Sequence, residues 1–159
     1  MKIMTNLFVY GTLMYPEVVK ALTGKKFDTV DATLYGHVVK EHIIELVDLT
    51  QDPGEFELDG AKSYISISSK TGSSVKGKIM LNVDEISIDK IAFFEGKDFK
   101  FKTVFPHSNQ VIIAKTFEWK YQTKFTANWS PEEFRKYDLE HYIKTVVIPS
   151  KQEYLAKHF

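Results

Sequence analysis

The stretch N-L-F-V-Y-G-T-L-M-Y-P-E, from Asn6 to Glu17, reads in three pieces. Leu7 to Tyr10 end a buried strand that begins near Ile3. Gly11 and Thr12 interrupt it. Pro16 then suits the first position of a helix from Tyr15 to Leu22, with Gly24 as its stop. A glycine between a core strand and a helix start exposes consecutive backbone N–H groups beside the positive end of the helix dipole, a setting that receives anions. Glycine also lets the backbone approach a ligand with no Cβ in the way. A plain strand-to-helix turn needs the same residues, so the stretch alone leaves both readings open.

Strands dominate the rest of the chain. Phe27 to Val39 is rich in β-branched and aromatic residues. Glu41 to Asp59 is acidic and carries the turn Asp52-Pro53-Gly54, so it reads as an insertion or long loop, although H-I-I-E-L-V at its start suits a further strand. Ser63 to Ser68 alternates with the period of a half-buried strand. Thr71 to Ser74 reads as a hairpin turn and Val75 to Val83 as the returning strand. Asp84 suits an N-cap, Ile88, Ile91, Ala92 and Phe94 follow at helical spacing, and Gly96 suits a C-terminal cap. Phe99 to Phe105 and Val111 to Tyr121 read as strands around the turn His107-Ser108-Asn109. Ser130-Pro131-Glu132-Glu133 combines a serine cap, proline at the first position and a glutamate three residues after the cap. Phe134, Tyr137, Leu139, Tyr142 and Ile143 supply the buried stripe of that last helix. Strands with three or four helices between them point to an α+β fold rather than a doubly wound sheet.

Composition narrows the function. The 159 residues are 43% hydrophobic and 26% charged, the range of an ordinary globular domain. A chain this long buries roughly two-thirds of its unfolded surface. A net charge of +0 gives no support for nucleic-acid or membrane-surface binding. Without cysteine there is no disulfide, thiolate metal site or cysteine nucleophile. M-K-I-M-T-N does not read as a signal peptide and no apolar run is long enough to span a bilayer, so a cytoplasmic location is expected.

Several patterns imitate functional motifs. Gly72 to Lys78 nearly matches a phosphate loop, but Ile79 stands where a magnesium-binding hydroxyl belongs and the next residues read as strand. His37, Glu41, His42 and Glu45 lack a metal-ligand spacing and read as surface residues of the insertion. The serines include no nucleophile elbow. The aromatic residues, 14% of the chain, alternate within strands and read as core rather than as a base-stacking platform. Glu95 is different. It closes the apolar run Ile91-Ala92-Phe93-Phe94, where desolvation and the negative end of a helix both favour the protonated acid. A glutamate tuned upward exchanges protons near neutral pH, although one pointing to solvent at a helix end needs no role.

The two stretches together resemble the γ-glutamylcyclotransferase-like superfamily, in particular its AIG2-like branch. The resemblance runs from Leu7 to about Trp119. Tyr10-Gly11-Thr12-Leu13 matches the signature Y-G-[ST]-L, and Phe94-Glu95-Gly96-Lys97-Asp98-Phe99 matches an apolar-E-G-x-x-Y signature with Phe99 in the tyrosine position. Phe117-Glu118-Trp119 resembles the family's F-E-W strand, and W-S-P-E-E-F its C-terminal helix. The resemblance implies a single domain over residues 1–159, a small mixed β-barrel flanked by helices (core about 5–121) with a C-terminal helical extension over 130–159. It implies a small-molecule γ-glutamyl substrate gripped by Tyr10, Gly11, Thr12 and Leu13, with Glu95 as the catalytic acid/base. It calls for no metal or cofactor, no nucleic acid and no membrane. The implied reaction is cyclisation of a γ-glutamyl amide to 5-oxoproline. Phe99, Ile91-Ala92, Tyr64-Ile65-Ser66 and the long segment from Glu41 to Asp59 depart from the family pattern. Two alternatives remain: a non-catalytic binding module that keeps the pocket, and a γ-glutamylamine cyclotransferase.

Overall fold

The computed structural model describes residues 4–43, 63–96, 99–120, 126–127 and 131–158. The fold is α+β. Strand β1 (Met4–Val9) leads through a 3-10 turn (Thr12–Met14) into helix α1 (Pro16–Thr23). Two long strands follow, β2 (Thr29–Ile43) and β3 (Ser63–Asp84), and then helix α2 (Glu85–Glu95). Strands β4 (Phe99–Val104), β5 (Ala114–Trp119) and the short β6 (Thr126–Ala127) complete the sheet. The chain ends in helices α3 (Pro131–Tyr137) and α4 (Leu139–Tyr142), a π-helical turn (Ile143–Val147) and helix α5 (Ile148–His158).

The six described strands form one mixed sheet in the order β4-β5-β1-β3-β2-β6. β1 pairs antiparallel with β3 and parallel with β5. The ladder does not close into the small barrel that the family resemblance implies, because β4 and β6 are its edges. The sheet nevertheless curls. In the segment after β4, the His107 N–H donates to the Thr33 carbonyl and the Thr33 N–H donates to the His107 carbonyl, both at 2.8 Å.

The period of two along β1 divides the core. Leu7 and Val9 face the helices, together with Val18, Leu22, Ile91 and Phe117. Phe8 and Tyr10 face the concave side, with Leu34, Ile67, Ile79 and Ala114. Leu139 and Val147 hold the C-terminal helices to the first cluster. Each such buried aliphatic side chain contributes about 2 kcal/mol.

Some expectations change. Thr71 to Ser74 is not a hairpin turn. Both halves of β3 pair with β2: Val75 opposes Leu34, and Ser69 opposes His37. Between Tyr35↔Ser74 and His37↔Ser69 the register shifts, and the extra residues of β3 bulge around Gly72, whose φ of 86° suits glycine. The near-match to a phosphate loop is therefore part of one bent strand and opens no helix. Glu41 to Ile43 belong to β2, opposite Ser63 to Ile65, so the insertion does not start at Glu41. Residues 44–62, which hold its remainder and Glu45, lie outside the described residues, as does Ser130. Tyr137 is 69% exposed rather than part of the buried stripe. Helix α3 ends there, and the helical phase restarts at Leu139.

Candidate active site

Two ends of secondary structure meet at the site. The first is the end of β1. The Gly11 carbonyl accepts from the Met14 N–H at 3.0 Å and the Thr12 carbonyl from the Tyr15 N–H at 3.2 Å, which sets the 3-10 turn. The Thr12 and Leu13 amides precede the first bond of that turn, so the turn itself gives them no acceptor. Gly11 has φ −118°, so close approach, not a left-handed backbone, is what glycine permits there. Leu13 is buried against the helix-facing core. The Tyr10 O–H donates to the Phe117 carbonyl, so its phenol ties the end of β1 to β5.

The second is the end of α2. Asp84 caps the start of this helix by accepting from the Ser87 N–H at 3.2 Å and the Ser87 hydroxyl at 2.8 Å. Gly96, at φ 88°, ends it with its N–H on the Ala92 carbonyl at 3.0 Å. Glu95 is thereby fixed as the last helical residue.

Tyr10, Gly11, Thr12 and Leu13 line the same cavity as Glu95, with a volume of 120 Å³. Phe8, Phe94, Phe99 and Phe117 supply its aromatic walls. In this setting burial pushes the Glu95 carboxyl up from the ordinary 4.5 to about 8. The residue as a whole is half-buried, and it lines the cavity. The arrangement can exchange a proton near neutral pH with a small molecule seated against the turn amides. A larger cavity of 250 Å³ shares Val9 and Leu13 with it, but its lining includes no acid, and its polar members are Lys26, Thr29 and Lys78. Lys97 and Asp98, inside the second signature, lie outside the described residues.

Two features of this region were not legible as site residues in the sequence. Tyr142 and Val146 also line the cavity, from the C-terminal helical segment. Tyr142 reads in sequence as a buried stripe residue. The local signal is Pro149, which cannot donate in a helix and whose ring crowds the carbonyl of Thr145. That residue lies within the π-helical turn Ile143–Val147, immediately after Tyr142. The second is a charged cluster on the concave side. Glu118 forms ion pairs with Lys102 at 2.5 Å and Lys100 at 3.1 Å, and His37 Nε2 stands 3.8 Å away. His37 is thus part of an internal network and not a surface residue of an insertion. Among the described residues, no group of three or more histidines, aspartates and glutamates is arranged to hold a metal.

Comparison with known proteins places the chain. The family described as "Gamma-glutamyl cyclotransferase, AIG2-like" matches residues 7–138. Protein AIG2 C of Arabidopsis thaliana is 26% identical over 146 residues, covering 88% of this chain and 78% of that protein. A solution structure of another Arabidopsis thaliana protein superposes with a TM-score of 0.61 at 23% identity, covering 89% of this chain and 87% of that one. A structure named gamma-glutamyl cyclotransferase superposes with a TM-score of 0.59 at 14% identity, covering 98% of this chain and 87% of that chain, a likeness of fold. The chain belongs to the γ-glutamyl cyclotransferase, AIG2-like family.

Proposed function

We propose that the protein cyclises a γ-glutamyl amide to 5-oxoproline, with Glu95 as the acid/base and the Tyr10–Leu13 turn as the grip on the substrate. The observation that carries this reading is the meeting of Glu95 with that turn in one aromatic cavity. The α-amine of the substrate attacks its own γ-carbonyl carbon. One C–N bond forms and closes the five-membered ring. The Glu95 carboxylate takes the proton from the attacking nitrogen and returns it to the departing amine as the original amide C–N bond breaks. Nucleophile and electrophile belong to one molecule, so the pocket chiefly holds it folded in a reactive geometry. The amides of the turn suit a carboxylate or the developing oxyanion. No step calls for a redox change or a second substrate.

A binding module that lacks catalysis is the competing reading. A pocket that only binds has little reason to keep a desolvated acid, since burying a charged form is costly. Incubating the protein with a panel of γ-glutamyl amides, both γ-glutamyl amino acids and γ-glutamylamines, separates the readings. Release of 5-oxoproline from at least one member supports the enzyme, and the preferred member names the amine half. Binding without 5-oxoproline would overturn it.

A further inference from the structure

Part of the cavity wall lies beyond the residues that the family match covers. The match ends at residue 138, whereas Tyr142 and Val146 line the cavity from the segment that follows. We propose that these two residues determine which amine the substrate carries, by forming the wall past which the amine half leaves the pocket. This rests on the reading of Glu95 given above.

Size sets the geometry of the argument. The cavity is small, at 120 Å³. With the γ-glutamyl head seated between the Tyr10–Leu13 turn and Glu95, the amine half extends through the mouth. Val146 is at that mouth, because it lines the cavity and is still 43% exposed. The neighbouring Val147 is fully buried and anchors the segment. The Tyr142 ring stands edge-on to Phe94, the residue before Glu95, with centroids 6.3 Å apart, and edge-on to Phe134 at 5.3 Å. The wall is thereby held at a fixed place relative to the catalytic end of α2. The intervening π-helical turn changes the rotation between Tyr142 and helix α5, and such turns recur at functional sites. Apolar walls discriminate by size, about ten-fold or more per methylene group.

The test uses Tyr142→Ala, Val146→Ala and Tyr142→Phe, with Lys144→Ala as control. Lys144 is exposed on the same segment and pairs only with the exposed Glu140 among the described residues. Each protein is assayed on γ-glutamyl amides of graded amine size. The same series is titrated by calorimetry against each variant combined with Glu95→Gln. Opening the wall is expected to raise the kcat/KM ratio of bulky over small amines about ten-fold or more. The calorimetric affinity ratio should move the same way, and Lys144→Ala should keep the wild-type ratio. Val146→Ala carries the test where Tyr142→Ala folds poorly, and Tyr142→Phe isolates the hydroxyl from the ring. Unchanged ratios in all three wall variants would overturn the proposal while leaving the role of Glu95 intact. Binding that depends on the wall but gives no 5-oxoproline in any protein would overturn the role of Glu95 and leave the wall supported. No binding of any amide would overturn both.

Discussion

Lys102 Nζ lies 3.1 Å from His37 Nε2, although three strands separate β4 from β2 in the hydrogen-bonded order. A charged lysine donates, so the bond occupies the His37 Nε2 lone pair. Nδ1 then donates to the Tyr35 carbonyl at 3.0 Å. Lys102 also meets Glu118, so this contact and the Thr33–His107 bridge join the two sides of the curled sheet where the ladder does not.

The seam predicts an acid sensitivity. Burial alone would push the Glu118 carboxyl up, but hydrogen bonds and charges from Lys102 and Lys100 outweigh it and hold the carboxyl below the ordinary range. A depressed folded value stabilises the protein above the unfolded value and ceases to as pH falls through the folded one. Glu118→Ala should cost about 2 kcal/mol near neutral pH, the scale of hydrogen bonds to charged groups. In urea unfolding, the gap between wild type and variant should narrow below about pH 4. A gap that stays constant down to pH 2 would contradict the seam.

The start of α2 predicts a cap effect. Burial raises the Asp84 carboxyl, but bonds from Ser87 and Lys25 reverse this and leave it lowered. Asp84→Ala should destabilise by about 1 kcal/mol, and Asp84→Asn, which still caps, should recover most of it. Thermal unfolding of the two variants distinguishes the cap from the charge.

Close packing beneath the Tyr10–Leu13 turn predicts a third outcome. A Cβ on Gly77 would meet the Val9 carbonyl oxygen, and the Phe8 ring at 2.8 Å. Both residues lie on β1 just before the turn. Gly77→Ala should cost about 1–3 kcal/mol, as overpacking does. Turnover should fall further than stability predicts, because β1 leads directly into Tyr10–Leu13.

How much of this was legible in the sequence depended on range. The ends of α1 and α2 were readable, because Pro16, Asp84 and Gly96 act on their own turn of helix. Gly72 was misread, because the same residues serve a hairpin or a bulge and only the pairing partner decides. Here both halves of β3 chose β2. Tyr137 falls outside the buried stripe because the helix phase breaks between α3 and α4, and a single periodicity does not run across the break. His37 and Glu118 lie 81 positions apart, and nothing local marks two residues that meet only when a sheet curls. The meeting of Glu95 with the Tyr10–Leu13 turn was accessible only through the family resemblance, since no spacing rule joins a strand end to a helix end so far along the chain.

Glu95 also predicts a stability effect of opposite sign to that of Glu118. Its folded value of about 8 lies above the ordinary 4.5, so the folded state holds the extra proton between them. Stability contributed by that proton is present below the unfolded value and is lost as pH rises toward 8. Glu95→Gln removes the dependence, so the variant should gain on wild type in urea unfolding as pH rises from 5 to 8. Parallel curves would mean that the carboxyl is not desolvated.

The most direct measurement is the rate of 5-oxoproline release by Glu95→Gln on the best substrate of the panel, beside the pH profile of the wild type. Glutamine keeps the size of the side chain and cannot accept the amine proton. General acid/base groups typically contribute about a hundred- to ten-thousand-fold, and the rate should fall by that order while binding persists. The wild-type kcat/KM should rise with pH through about 8 as the Glu95 carboxylate forms. A folded, substrate-binding Glu95→Gln variant that works at the wild-type rate would contradict the account.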